Sequence, residues 1–285
     1  MREQKEHLSN ISAQFLGWGL LITSFCWAFW PILSGIVETW ATNSDYSHGF
    51  FIIPLVTYLI WRKGGWEKVK NTDNWQMGFV VVVLGVLAAL VGMFSQFRTL
   101  GNLSLLLVIW GVFLFLYGFR IFLMYGWELF LFVFLLPIPS RIYASLTLPL
   151  QLIVTKVSFF FLQLFHIPVY REGNVLYLAN VSLEVVNACS GLRSIITIIM
   201  LAYVIACISL EKISHKLFLV LFSILIAMLS NIIRVLILAV FAQHGYNNFI
   251  DGIGHTILGL VLFLMSFYLL ILISRVLTWM SFEKI

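Results

Sequence analysis

Long apolar runs, separated by short polar segments, make up most of this chain of 285 residues. A helix that crosses the hydrocarbon core of a bilayer needs about 20 mostly apolar residues, with some latitude for tilt. The pattern predicts spanning helices at 14–37, 49–62, 76–95, 103–119, 189–210, 217–241 and 255–280. The chain is therefore predicted to be an all-α polytopic membrane protein.

Two other apolar segments are less regular. Residues 126–138 are apolar but short, and a Leu-Pro-Ile-Pro sequence follows at 136–139; we predict an eighth span there. Residues 147–165 carry Gln151, Lys156 and Gln163 among apolar residues, which predicts an amphipathic helix in the interface rather than a span. The expected fold thus has about eight transmembrane helices and one amphipathic helix.

The loop 166–188, which leads into Cys189, has a different periodicity. Its two runs, 168–178 and 181–186, are rich in β-branched and aromatic residues with rough alternation. Glu-Gly-Asn at 172–174 and Ala-Asn at 179–180 punctuate these runs. Such a pattern predicts a small β-hairpin-like loop.

Composition excludes a soluble protein. Hydrophobic residues make up 61% of the chain and charged residues only 10%, whereas soluble domains carry roughly a quarter charged residues. The net charge of +5 comes from basic residues scattered between the spans, so it indicates membrane topology and no nucleic-acid partner. The three cysteines have no paired spacing, which argues against a disulfide framework or a thiol metal site.

Basic residues also predict the orientation, because cytoplasmic loops are enriched in lysine and arginine. With the N-terminus inside and 147–165 not crossing, the outside loops hold only Arg98, Arg141 and Arg171. The inside then holds Arg2, Lys5, Arg62, Lys63, Lys68, Lys70, Arg120, Lys212, Lys216, Arg275 and Lys284. This arrangement places both termini in the cytoplasm and the hairpin-like loop on the extracytoplasmic side.

Polar residues at the ends of the last three spans are candidates for chemistry. The sequence Asn-Ala-Cys-Ser-Gly-Leu-Arg at 187–193 begins one apolar run, Arg234 lies near the end of the next, and His255 begins the last. At about 1.5 Å per residue, Arg234 is about 25 Å up its helix, near the outer boundary of a ~30 Å core. The topology therefore predicts that Cys189, Arg234 and His255 lie at similar depth near the outer face.

These residue types suit cysteine-based acyl transfer. A helix N-terminus and a nearby cation such as Arg193 lower the pKa of a thiol such as Cys189. A histidine can act as general base and then as acid, while an arginine can stabilise an oxyanion or hold a carboxylate. The amides of Ser190 and Gly191 can contribute to an oxyanion hole. Packing and snorkelling are the alternative roles, and His48, His166 and His244 are also predicted outside.

Four motifs resemble those of the exosortase/archaeosortase family, and they follow one another along the chain in the order that the family shows. Residues 188–193 resemble its A-C-S-G-[IL]-R signature, and Tyr46-Ser47-His48-Gly49-Phe50 resembles its N-terminal S-H-G region. Asn231 and Arg234 match N-x-x-R, and His255 and Gly259 match H-x-x-x-G. The resemblance covers about residues 40–260 and implies one integral membrane domain over 1–285, with no separate soluble domain.

The resemblance implies that Cys189 is the nucleophile and forms an acyl-thioester, with Arg234 and His255 completing the catalytic site. Arg193, Ser190, Gly191, Asn231 and His48 are the expected supporting residues, and neither a metal nor another cofactor is expected. Substrates would be exported proteins with a C-terminal motif, hydrophobic span and basic tail. Their new carboxyl end would pass to a lipid or glycan anchor. The expected location is the cytoplasmic membrane of a prokaryote, among membrane lipids, with the site on the extracytoplasmic side.

Two other functions fit the same sequence features. The chain could be a non-enzymatic subunit of a polysaccharide export or assembly system, in which the polar residues only hold helices together. It could also be a lipid-directed acyltransferase that carries a thioester on Cys189. Replacement of Cys189 separates an enzyme from a scaffold, and the mass of the substrate's new C-terminus separates cleavage from acyl transfer.

Overall fold

A computed structural model describes residues 17, 19–20, 22–65, 75–179, 181–185, 191–246 and 252–282, without the side chains of 191–193 and 282. The chain divides into two compact units, Met1–Pro137 and Ile138–Ile285. Each unit is built from apolar helices, and a small sheet belongs to the second.

The first unit is helical throughout its described elements. These are α1 (Trp30–Thr42), α2 (Gly49–Lys63), α3 (Trp75–Phe94), α4 (Arg98–Met124), α5 (Gly126–Phe130) and a 3₁₀ helix (Leu131–Leu135). Residues 22–28 are also helical, but a turn at Phe29 separates them from α1. Pro31 in the first turn of α1 explains this break, because proline has no N–H to donate to a preceding turn. The span predicted at 14–37 is thus interrupted.

Helices α3 and α4 pack closely through glycines. Gly78, Gly85 and Gly92 recur every seven residues along α3, and each faces α4. A Cβ added at Gly92 would lie 2.7 Å from the backbone nitrogen of Gly101, and one at Gly85 would lie 2.7 Å from a methyl carbon of Val108. Small residues allow such close approach between apolar helices in membranes, where packing rather than the hydrophobic effect holds helices together.

The segment 126–138, predicted as an eighth span, is not one continuous helix. It forms α5 and the 3₁₀ helix, which together are about 17 Å long and too short for a ~30 Å core. Both ends are held by the first two helices. The Lys63 ammonium contacts the Glu128 carboxylate at one end, and the Trp40 indole donates to the carbonyl of Leu135 (3.0 Å) at the other.

In the residues that the structure describes, the second unit contains four long helices and a sheet. The helices are α6 (Ser140–Leu164), α7 (Gly191–Ser209), α8 (Ile213–Gln243) and α9 (Ile253–Phe282). Among the described residues, five helices are long and apolar enough to cross a membrane, namely α3, α4, α6, α8 and α9. Helix α7 is apolar but shorter. The predicted count of eight spans is therefore not confirmed.

Helix α6 differs from the amphipathic helix expected at 147–165. It begins earlier, at Ser140, and its 25 residues are long and apolar enough for a span. Of the polar residues behind the prediction, Gln151 is buried while Lys156 is exposed. The polar side chains therefore do not form one water-facing stripe, which is why sequence periodicity misjudged this helix.

The predicted β-hairpin is confirmed, and it has a third strand. Strands β1 (Val169–Glu172), β2 (Val175–Leu178) and β3 (Ser182–Glu184) form an antiparallel sheet in the order β1-β2-β3. Gly173 occupies the first hairpin turn with φ of +59°, a conformation that favours glycine.

One face of the sheet supports the end of α8. Leu176, Leu178 and Leu183 point to this face and are buried in a cluster with residues of α6 and α8. The cluster includes Val235 of α8, the neighbour of Arg234 in the chain. The hydrophobic contact of the sheet therefore fixes the part of α8 that carries Arg234.

Candidate active site

Three helices of the second unit meet at a small polar cavity. The cavity has a volume of about 20 Å³ and lies between the start of α7, the C-terminal half of α8 and the start of α9. Its walls are Ser194, Ile198, Ser230, Asn231, Arg234, Gly259, Leu262 and Phe263. Two predicted site residues, Asn231 and Arg234, are thus brought to one place together with the glycine of the H-x-x-x-G sequence.

Arg234 lies directly against the backbone of α9 at Gly259. A Cβ built on Gly259 would overlap the Nη2 atom of Arg234 and would lie 2.8 Å from its Cζ atom. The guanidinium therefore occupies the space that a side chain at position 259 would take. This contact joins the N-x-x-R and H-x-x-x-G sequences, which come from different helices.

The described residues that line the cavity together with Arg234 are uncharged. Asn231 is 5% exposed, and among the described residues its Oδ1 atom has no hydrogen-bond partner; the same holds for the buried Nε atom of Arg234. Within the described part of the chain, Arg234 has no carboxylate partner within 4.0 Å.

His255 lies on α9, four residues before Gly259, and is partly buried. Residues four apart on a helix share a face, with Cβ atoms about 5–6 Å from one another. His255 is therefore on the face of α9 that contacts Arg234, one turn closer to the helix start. An imidazole at this position and a guanidinium beside Gly259 can serve one substrate.

Cys189 and Ser190 lie outside the described residues, as does the side chain of Arg193, while Gly191 is the first residue of α7. Helix α7 corresponds to the span predicted at 189–210. Its first described side chain, Ser194, lines the cavity beside Arg234 and follows Cys189 by five residues.

Two of the other histidines, His244 and His48, have structural contacts. His244 follows the end of α8, and its Nδ1 atom lies 2.9 Å from the carbonyl oxygen of Val240. His48 belongs to the first unit, where its Nε2 atom lies 3.2 Å from the carbonyl oxygen of Phe134. The imidazole of His48 thereby joins the start of α2 to the 3₁₀ helix.

Acidification is expected to weaken the first unit through His48. Burial lowers the pKa of His48 below its ordinary value of 6.5, and this effect exceeds the opposing effects of the Phe134 carbonyl and Asp45. Because the unfolded chain then binds the proton at higher pH than the folded chain, stability falls as pH drops below about 6.5. Between pH 8 and pH 5, the thermal unfolding temperature of purified His48→Gln should fall by less than that of the wild type. Equal losses in both proteins would contradict this assignment.

Sequence reasoning missed part of the cavity wall. Ser194, Ser230, Leu262 and Phe263 were not predicted as site residues, yet all four line the cavity. Ser194 follows the predicted residue Arg193, and Ser230 precedes the predicted residue Asn231. Their position next to predicted residues was therefore the signal that could have identified them. Nothing distinguishes Leu262 and Phe263 from the other apolar residues of α9, because only the packing of the helices selects them.

The described fold and site define a multi-pass membrane protein with a polar site where three apolar helices meet. The model of the transmembrane exosortase family matches residues 40–272, and the chain belongs to this family. No curated protein and no solved structure matches the chain significantly.

Proposed function

We propose that this chain is a membrane-embedded cysteine transpeptidase or protease that cleaves the C-terminal sorting signals of exported proteins. The observation that carries the proposal is the contact between Arg234 and Gly259 beside Ser194. It brings the N-x-x-R sequence of α8 against the glycine of the H-x-x-x-G sequence of α9, next to Ser194 near the start of α7. Membership of the exosortase family supports the same function.

The proposed reaction begins with the thiolate of Cys189. Its sulfur adds to the scissile carbonyl carbon of the substrate, and the negative charge that develops on the carbonyl oxygen is stabilised by Arg234. The C–N bond then breaks as His255, protonated by the thiol, transfers that proton to the leaving amine. These steps leave an acyl-thioester on Cys189 and release the C-terminal fragment.

A second nucleophile completes the cycle. An amine or hydroxyl of a lipid or glycan anchor, or water, attacks the thioester carbonyl while His255 accepts its proton. The C–S bond breaks, and the Cys189 thiolate is restored. Transfer to an anchor gives a transpeptidase, and transfer to water gives a protease. We place the site on the extracytoplasmic side, where exported substrates and surface anchors are present.

The test is co-expression with a small exported protein from the source genome that ends in a shared motif, a hydrophobic span and a basic tail. Cleavage should leave a new C-terminus near the motif, and its mass should reveal water or an added anchor. Mild acid quenching followed by mass spectrometry should recover an adduct on the peptide that contains Cys189. An acylated lipid with an uncut sorting signal would instead identify an acyltransferase. No change in any exported protein would contradict both enzymatic functions.

A further inference from the structure

The close approach of Arg234 to α9 depends on the absence of a side chain at residue 259. Gly259 lies inside a regular helix, where alanine would be the more favourable residue. Space, rather than backbone conformation, therefore requires glycine here. Any Cβ would collide with the guanidinium, whose carbon would be only 2.8 Å away. Because the backbone of a helix cannot yield easily, the Arg234 side chain would have to move.

Arg234 also lines the cavity together with Asn231. Residues 231 and 234 are three apart on α8 and so share a face. The Nε of Arg234 is a buried donor and the Oδ1 of Asn231 a buried acceptor, and neither has a hydrogen-bond partner in the described part of the chain. The cavity that both residues line measures about 20 Å³, which is enough to admit water. The hydroxyls of Ser194 and Ser230 add polar groups to its wall.

We propose that Gly259, Asn231 and one bound water form a neutral seat that holds the Arg234 guanidinium in a fixed orientation. The water accepts from Arg234 Nε and donates to Asn231 Oδ1, while the backbone at Gly259 supports Nη2. Gly259 and Asn231 are then positioning residues. A neutral seat orients the guanidinium without neutralising it, whereas a carboxylate would do both. This inference rests on the proposed function for its catalytic consequence but not for its structural one.

The structural arm of the test is a double-mutant cycle between residues 259 and 234. Gly259→Ala should lower the thermal unfolding temperature by about 3 °C or more, because overpacking displaces the guanidinium. In an Arg234→Ala background the same change should be neutral or should raise that temperature, because alanine favours the helix. Gly35→Ala in α1 is the control, since a Cβ there meets no atom within 4 Å. Equal losses from Gly259→Ala in both backgrounds would overturn the seat.

The catalytic arm uses substrate processing. Gly259→Ala should slow it about 100-fold, as expected when a catalytic group moves by about 1 Å. The carboxylate of Asn231→Asp should hold the Arg234 guanidinium at least as firmly as the amide does, so the unfolding temperature should stay the same or rise. Processing should still fall at least tenfold, because the carboxylate neutralises the positive charge. A fully active Asn231→Asp variant would overturn the requirement for a neutral seat. If the double-mutant cycle shows the coupling but Arg234→Ala leaves processing unchanged, the seat stands and the proposed role of Arg234 fails.

Discussion

Replacement of Cys189 by alanine is expected to abolish processing of the sorting signal, with a loss of about 10⁴-fold or more. Removal of the nucleophile eliminates the covalent path, and only substrate binding and oxyanion stabilisation remain. Cys189→Ser should be nearly as inactive, because a serine hydroxyl is far less acidic than a thiol and the site would have to ionise it. The measurement is the ratio of cut to uncut substrate in membranes, by immunoblot and intact mass.

Two other cysteines provide matched controls. Cys26 is exposed in the helical residues 22–28, and Cys207 lies near the end of α7. Cys26→Ala and Cys207→Ala should each retain processing, and the double variant leaves Cys189 as the single thiol of the chain. That variant also tests the side of the membrane, since a membrane-impermeant maleimide added from outside should label Cys189. Undiminished processing by Cys189→Ala would exclude the thiol mechanism.

Replacement of Lys63 by methionine is expected to destabilise the first unit by about 3–5 kcal/mol, the usual cost of leaving a buried charge unpaired. The Lys63 ammonium lies 2.9 and 3.0 Å from the two carboxylate oxygens of Glu128, and it also donates to the carbonyl of Met124 at 2.6 Å. The Glu128 side chain is only 3% exposed, so without lysine its carboxylate has neither a cation nor water. Fluorescence-detected thermal unfolding of the detergent-solubilised protein measures the loss.

The two sides of this ion pair should respond differently. The Lys63 side chain is 33% exposed and can be hydrated when Glu128→Gln removes its partner, so that variant should be less destabilised. The double variant Lys63→Met/Glu128→Gln should recover most of the loss, because no charge is then buried. Lys156→Met, which removes an exposed lysine of α6, should change stability little. A double variant no more stable than Lys63→Met would show that the loss arises from packing.

The polarity pattern of the sequence by itself determined the helical membrane class and most helix positions. It placed α3, α4, α8 and α9 within a few residues, because burial in a bilayer demands long, uninterrupted apolar runs. It also predicted the sheet before α7, since strand periodicity and the Glu-Gly-Asn turn are local signals. The order of the motifs was enough to indicate the exosortase family, which the match over 40–272 bears out.

Only the tertiary structure determined how those helices pack against one another. Hydropathy predicted an amphipathic helix at 147–165, but Gln151 is buried by neighbours distant in the chain. It also predicted a span at 126–138, where Glu128 instead pairs with Lys63 of another helix. The sequence predicted Arg234 and His255 at one depth, yet it gave no sign that Arg234 would rest on Gly259. Such a contact requires two helices to approach closely at one register. That register is set by the packing of small and apolar side chains, which no single segment contains.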